Sequence, residues 1–395
     1  MKSGKICFIN TLPRAYQFFL KPQMERLNRR GFQLTFISSY DASLSSDFPK
    51  EYRYLVVPMK RGLDILHMPG LVRTYYRIFR KERFDLIQYS GPNAALYASL
   101  AGRMAQLPVR IYAQWGIRYV GYKGVARWTL KWVERLICRC STIIEPDSHG
   151  NLDFSISEGL YPSDKGRVIW NGSACGVDFK KFDSAMKDEW RRACRISLGL
   201  PCEAFVLGFV GALRRDKGLN ELLMATRSLE GAYPPQWLLL VGDKDLYATV
   251  DPGLRAWAEG SPRVIIVEPT PDVPKYLSAM DLFVFPSYRE GFGSVVIEAE
   301  AMGLPVIVTD IPGPVDAMRP GITGLTVRVR DWRELARAIH DLSMNPDRLR
   351  LMGVAAVSFV RKQFDQEELM RRFVADKERL LAGTDREGEL CPPPE

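Results

Sequence analysis

Short apolar runs alternate with stretches whose apolar residues recur every third or fourth position, and the alternation continues through both halves of the chain. Lys5–Asn10, Gln33–Ser38, Tyr54–Val57, Leu86–Tyr89, Val109–Ala113, Thr142–Glu145 and Val168–Trp170 have strand character. Between them Tyr16–Arg30, Leu71–Arg83, Asn93–Ala105 and Arg127–Arg139 have helical spacing, the first with Phe18, Phe19, Met24 and Leu27 expected inward. The second half repeats the scheme with strands at Phe205–Gly211, Trp237–Gly242, Val264–Val267, Leu282–Phe285, Pro305–Thr309 and Gly324–Val327. Helices at Trp332–Met344, Asp347–Phe359 and Gln366–Leu381 close it. Strands alternating with helices across short links predict an α/β chain of doubly wound parallel sheets.

At 395 residues the chain exceeds one ordinary core. Two Rossmann-like domains are expected, 1–180 and 181–365, with a last helix near 366–382 packing back on the first and 383–395 as a mobile tail. The glycine-punctuated run Asn171–Phe182 is the linker between them. Composition, 46% hydrophobic and 26% charged, is that of a globular protein. The charge is uneven: residues 1–199 hold 32 Lys/Arg and 17 Asp/Glu, the remainder 23 and 29. An anionic partner would therefore meet the first half. Seven cysteines without a CxxC pair form neither a disulfide framework nor a zinc site, and Cys138 and Cys140 are expected to be packing residues. No apolar run approaches the length of a membrane span, and the apolar start is too short for a secretion signal. A cytoplasmic protein is the expectation.

The stretch Leu282–Thr309, LFVFPSYREGFGSVVIEAEAMGLPVIVT, carries the densest chemistry. Its strand–loop–helix–strand order is one βαβ unit, and such sheets bind ligands beyond the carboxyl ends of their strands. Glu290, Gly291, Phe292 and Gly293 fall there, just before a helix opening at Ser294. Glycine admits close backbone approach, and free N–H groups at a helix start favour an anion or a hydroxyl. Glu298 lies inside that helix between two apolar strands, so its carboxylate needs hydroxyl or N–H partners; paired ribose hydroxyls would suit it. A second cluster, Gly211-Ala212-Leu213-Arg214-Arg215-Asp216-Lys217-Gly218, sits between another strand's carboxyl end and a helix. Cations so placed suit a diphosphate leaving group, although each alone is equally a solvated basic turn. Gly242-Asp243-Lys244-Asp245 offers a DxD, a weak metal signal, and the lysine inside it argues for a metal-free site. The loop Glu268-Pro269-Thr270-Pro271 has backbone that could read a nucleobase. The first strand is followed by no glycine-rich turn, which weighs against a dinucleotide-binding dehydrogenase.

PSYREGFGSVVIEAEAMGLPVIVTDIPGPVDAM resembles the nucleotide-sugar motif of the retaining glycosyltransferases of family 4, the glycosyl transferases group 1 domain, with its Glu, seven residues and second Glu. The resemblance implies the GT-B architecture, two Rossmann-like domains facing across a cleft, and transfer of a sugar from a nucleotide-diphosphate sugar, such as a UDP-sugar, with retention and without a metal or other cofactor. It is closest to bacterial enzymes that build capsule or exopolysaccharide repeat units on a lipid carrier. Carried onto this chain, Glu290 would orient sugar hydroxyls, Glu298 would hold the ribose, and Lys217 with Arg215 would meet the phosphates. Gly211, Arg214, Thr270, Gly291, Phe292, Gly293 and Ser294 would complete the donor site. Two departures stand out. Ala212 replaces the family's arginine, so either Arg214 or Arg215 substitutes or one phosphate contact is missing, and Trp115 in RIYAQWGIRY replaces a histidine whose role is either absent here or taken by another group. Trp115, Gly116, His149 (a loop residue by this reading) and Asn171 are the candidates on the acceptor side.

Two basic segments, LVRTYYRIFRKERF and the helix bearing Lys123, Arg127, Lys131, Arg135 and Arg139, are either solvated faces or a surface for anionic lipid headgroups at the inner leaflet. A nucleic-acid partner is disfavoured by the acidic second half. A non-catalytic nucleotide-sugar binding or assembly protein and a sugar-nucleotide epimerase of the same shape remain the alternatives.

Overall fold

The structure, a computed structural model, describes residues 4–42, 44, 48–60, 66–244 and 247–383. They divide into two compact units, one running to Cys175 and resuming at Glu367, the other spanning Gly176–Gln366. The proline-rich end of the chain, residues 384–395, lies outside the described residues.

The first unit is built on strands β1 (Lys5–Asn10), β2 (Gln33–Ser38), β3 (Arg53–Val56), β4 (Leu86–Ser90), β5 (Val109–Gln114) and β6 (Ile143–Pro146). All pair in parallel, in the order β3-β2-β1-β4-β5-β6. The strand period of two sorts β1 cleanly. Ile6 and Phe8 enter one apolar layer with Leu27, Phe36 and Phe373, whereas Cys7 and Ile9 enter the other with Tyr75, Phe79 and Ala94. Each Ile, Leu or Phe side chain so removed from water contributes about 1.5–3 kcal/mol. The helix Gln366–Gly383 closes this unit through a buried ionic cluster as well as through Phe373 and Val374. Lys377 Nζ donates to both Glu145 oxygens at 2.8 and 2.6 Å, and Arg167 reaches Glu145 and Asp376 at 2.8 and 2.6 Å. Burial opposes the charge on Asp376, yet Lys377 and Arg167 hold its carboxyl below the usual range.

Three expectations change in this unit. The chain at Tyr16–Leu20 winds more widely than an α-helix before Lys21–Arg29 becomes regular, so Phe18 turns to solvent, 63% exposed, while Tyr16, Leu20, Met24 and Leu27 point inward. Val168–Trp170 is not a strand. One bridge, Ile144 to Gly166, touches β6 before the chain turns away at Trp170, whose φ is 53°. His149 is not in a loop but opens the helix His149–Ser157, capped by the Ser148 hydroxyl, which accepts from the Asn151 N–H at 3.1 Å.

The second unit repeats the plan with β7 (Phe205–Val210), β8 (Gln236–Val241), β9 (Val264–Val267), β10 (Leu282–Phe285), β11 (Val306–Thr309) and β12 (Gly324–Val327). All are parallel again, in the order β12-β11-β10-β7-β8-β9. β7 and β10 are buried along their whole length, which is why they read as unbroken apolar runs. The direction of connection reverses between these two neighbours, and in such sheets the crevice beyond that reversal is where ligands bind. Among the described residues no helix is long and apolar enough to cross a membrane, and the described cysteines are free.

Candidate functional site

The crevice beyond β7 and β10 gathers the two motifs that the sequence keeps seventy residues apart. After β7 the chain passes Gly211, whose N–H donates to Val241 O at 2.9 Å, and Leu213, which donates to Asp243 O at 2.8 Å. A single tight turn, Arg215–Lys217, then ends at Gly218 with φ 74°, and the helix Leu219–Ser228 begins. Gly218 lies against the segment that follows β10: a Cβ there would stand 1.9 Å from Pro286 O. The two loops are also stitched together, Tyr288 N–H donating to Asp216 O at 2.9 Å and Ser287 Oγ to the same oxygen at 3.3 Å. Thr309 Oγ1 donates to Ser287 O from β11.

This stitching brings Lys217 Nζ into direct contact with Glu290 Oε1. Both side chains are mostly covered, and the ammonium also lies 5.5 Å from the centre of the Phe285 ring. The two arginines beside it differ. Arg214 pairs with Asp216 at 2.7 Å, and Asp216 also takes Arg289 at 3.1 Å. Arg215 is exposed; its backbone N–H donates to Thr249 Oγ1 at 3.1 Å and its carbonyl accepts from the Gly218 N–H at 3.0 Å. Of the two candidates to replace the missing arginine at Ala212, Arg215 thus has its charge facing solvent and Arg214 has its charge compensated.

Beyond Glu290 the loop turns into the helix Ser294–Ala301 through Gly293, at φ 92°. Gly291 is buried, its carbonyl so close to Gly313 that a Cβ there would lie 2.5 Å away. Phe292 does not face the crevice: it is 2% exposed and packs edge-on against Phe364 at 5.1 Å, leaving only its backbone to the site. The N–H groups of Ser294 and Val295 start the helix, and that of Val296 is taken by Gly293 O at 2.8 Å. Glu298 is half-buried on this helix, and loss of water raises its carboxyl to about 7, the Lys181 charge easing the shift. Glu300 is fully buried, and burial pushes its carboxyl well above the carboxylate range, with the Thr323 hydroxyl easing the shift.

The nucleobase-side candidates are more open. Thr270 Oγ1 accepts from Asp272 N–H at 3.1 Å and fixes its loop's turn, while Lys244 pairs with the exposed Glu268 at 3.1 Å. Asp245, the second acid of the DxD, lies outside the described residues. On the first unit, Trp115 stands at the end of β5 with its ring 5.2 Å from Phe19. With Gln23, Gln88, Glu145 and Phe373 it lines a cavity of about 30 Å³, and among these lining side chains Gln88 Oε1 is a buried acceptor without a hydrogen-bond partner. Gly116 follows at φ 106°. His149 Nε2 lies 3.2 Å from Trp170 O, and Asn171 is half-buried beside it in the chain. These four therefore gather near the β5 and β6 ends of the first unit.

Three participants were not singled out from the sequence. Asp216 bridges the loops through its backbone and two arginines through its side chain. Tyr288 donates to Glu221 at 2.6 Å beneath the Arg330 guanidinium, 4.7 Å from the ring centre. Lys181 sets the charge felt by Glu298. The acid in Arg215-Asp216-Lys217 was a usable signal; the other two depend on contacts across long separations.

Two family descriptions cover most of the chain. Residues 191–357 match Glycosyl transferases group 1, and residues 19–172 match the Glycosyl transferase 4-like domain. Among curated relatives, the capsular polysaccharide biosynthesis glycosyltransferase CapM of Staphylococcus aureus is 28% identical over 89% of this chain and 90% of its own length. The UDP-Gal:alpha-D-GlcNAc-diphosphoundecaprenol alpha-1,3-galactosyltransferase of Escherichia coli is 24% identical over 80% and 81%. Among solved structures, sucrose-phosphate synthase from Thermosynechococcus elongatus superposes with a TM-score of 0.77 at 21% identity, covering 96% of this chain and all of that one.

Proposed function

From the premise that this chain belongs to the glycosyltransferases, with a group 1 domain and a glycosyltransferase 4-like domain on the GT-B fold, we propose a specific reaction for it. It moves a sugar from a UDP-sugar to a lipid-linked saccharide, with retention at the anomeric carbon and without a metal ion, in the assembly of a cell-surface polysaccharide. The named activities of the relatives support the donor and acceptor classes. The contact of Lys217 with Glu290 at the β7/β10 crevice carries the reading, because it unites a phosphate-binding cation with a sugar-binding carboxylate.

In this account the diphosphate lies over the Arg215–Lys217 turn and the start of the helix Ser294–Ala301. Lys217 has three N–H donors, so it can keep Glu290 while binding a phosphate oxygen. Glu290 orients a sugar hydroxyl and Glu298 accepts from the ribose. As the bond from the anomeric carbon to the phosphate oxygen breaks, the acceptor oxygen bonds to that carbon from the same face, and its proton passes to the departing phosphate. The protein supplies charge rather than a base: Lys217 and Arg215 meet the growing negative charge, where one preorganised donor contributes about 2.7–4 kcal/mol. These two cations occupy the role a metal would otherwise fill.

The test is incubation with UDP-, GDP- and ADP-sugars and a lipid-linked acceptor extract, with and without a chelator. Nucleoside diphosphate release and the anomeric proton of the product are followed. Release from a UDP-sugar, unchanged by chelator, with an α product from an α donor is the expected result. An inverted product overturns retention, loss of turnover with chelator overturns metal independence, and binding without release overturns the enzyme reading.

A further inference from the structure

The helix Gly124–Cys140 of the first unit does not present the surface its sequence suggests. The three central cations of the stripe lean inward: Arg127 and Lys131 reach Glu158 at 3.3 and 2.7 Å, and Arg135 donates to the carbonyls of Glu158 and Gly159 at 3.2 Å. These contacts hold the Glu158 carboxyl below its usual range, the Lys131 hydrogen bond foremost. Between Val125 and Leu136 every exposed side chain is apolar. Val125, Trp128, Trp132 and Leu136 are 81, 63, 54 and 40% exposed. Steps of three, four and four place them on one ridge, and the two indole rings meet edge-on at 5.9 Å. A paired, open tryptophan ridge on a charged helix marks an interaction surface.

The surroundings identify the occupant. Arg139 ends the helix in solvent, Arg103 from the neighbouring helix reaches its carbonyl at 3.4 Å, and the next helix, Met68–Glu82, exposes Arg73, Arg77 and Arg80. These helices pack side by side on one face of the sheet. The ridge is a single exposed row of side chains, which suits a deformable apolar phase better than a protein groove. Indole favours the boundary between headgroups and acyl chains, and flanking arginines complement lipid phosphates. We propose that this ridge inserts into the headgroup–acyl boundary of an anionic bilayer, with the surrounding arginines on its phosphates. Resting on the reading that the acceptor is lipid-linked, this docks the first unit on the membrane that holds it.

The full chain is sedimented with vesicles of phosphatidylcholine alone and with phosphatidylglycerol added, in parallel with UDP titration and thermal melting. The wild type should sediment with the anionic vesicles. The Trp128→Ala/Trp132→Ala variant should bind them at least about tenfold more weakly, with melting and UDP affinity unchanged. Arg73→Ala/Arg77→Ala should weaken binding and reduce its salt dependence. The proposal is overturned if the wild type stays in solution, if it prefers neither vesicle, or if the tryptophan variant binds as tightly as the wild type. It is also overturned if the ridge instead joins two copies of the chain, seen as self-association without vesicles that the tryptophan variant abolishes. Vesicle binding lost while UDP binding persists sinks the ridge alone; UDP binding absent while vesicle binding persists sinks the donor reading alone.

Discussion

Gly218→Ala is a demanding perturbation of the site, because it adds one methyl where two loops touch. The added Cβ would lie 1.9 Å from Pro286 O and 2.6 Å from its carbonyl carbon, and real Cβ contacts do not fall below 3.0 Å. One loop must therefore retreat by about 1 Å, and both atoms approached are backbone, with no rotamer to yield. The φ of 74° adds roughly 1–2 kcal/mol of strain for any L-residue. Lys217 is the next residue, so the retreat separates its ammonium from Glu290 and from a bound diphosphate. A misplacement of about 1 Å costs on the order of 100-fold in rate. The matched control is Gly199→Ala: its φ of 66° carries the same strain, but nothing lies within 4 Å of its added Cβ. Nucleoside diphosphate release and UDP calorimetry should show a drop of about 100-fold in kcat/KM and weakened UDP binding for Gly218→Ala. Gly199→Ala should lose only melting temperature. Equal activity in the two variants would refute the claim that this contact sets the site.

Two further outcomes follow from the ionisable groups. With its carboxyl raised to about 7 by burial, Glu298 is protonated in the folded chain at pH 5 and ionised at pH 8. UDP-sugar affinity should therefore weaken as pH falls through 7 in the wild type and stay flat in Glu298→Gln, by calorimetry across that range. Ionisation in the unfolded chain starts near pH 4.5, so the buried acid costs stability as pH rises from there to 7; the melting difference of Glu298→Gln over wild type should grow over that interval, and a constant difference would contradict the shift. Lys377→Met leaves buried Glu145 with Arg167, and Asp376 with Arg167 and Arg379, and the stability of that unit to denaturant should fall by about 3–5 kcal/mol; a loss below about 1 kcal/mol would contradict the burial of this cluster.

The strands were legible because β7 and β10 are buried on both faces and appear as unbroken apolar runs, and because Gly211, Gly218 and Gly293 mark where those runs give way to site loops. The pairing of Lys217 with Glu290 was legible only as a consequence of two βαβ units, since nothing local to either residue points to the other. What stayed hidden depends on direction rather than composition. Phe292 sits among site residues in sequence, yet φ 92° at Gly293 and the proximity of Phe364 turn its ring into the core. The basic stripe of Gly124–Cys140 has clear periodicity, but Glu158, on another helix end, draws its cations inward and leaves tryptophan outside. Lys377 and Glu145 are separated by 232 residues, so no window along the chain reveals them as partners.

The central claim is that the lysine turn and the acid-glycine loop of the second unit form one diphosphate and sugar site. Its most direct measurement is UDP-sugar titration of the wild type beside Lys217→Ala and Glu290→Gln, with circular dichroism confirming that each remains folded. The account predicts that Lys217→Ala loses affinity for UDP and UDP-sugar alike, by roughly 10–100-fold for one charge-assisted contact. Glu290→Gln should lose affinity for the UDP-sugar but not for UDP. Wild-type affinity for UDP in folded Lys217→Ala would contradict it.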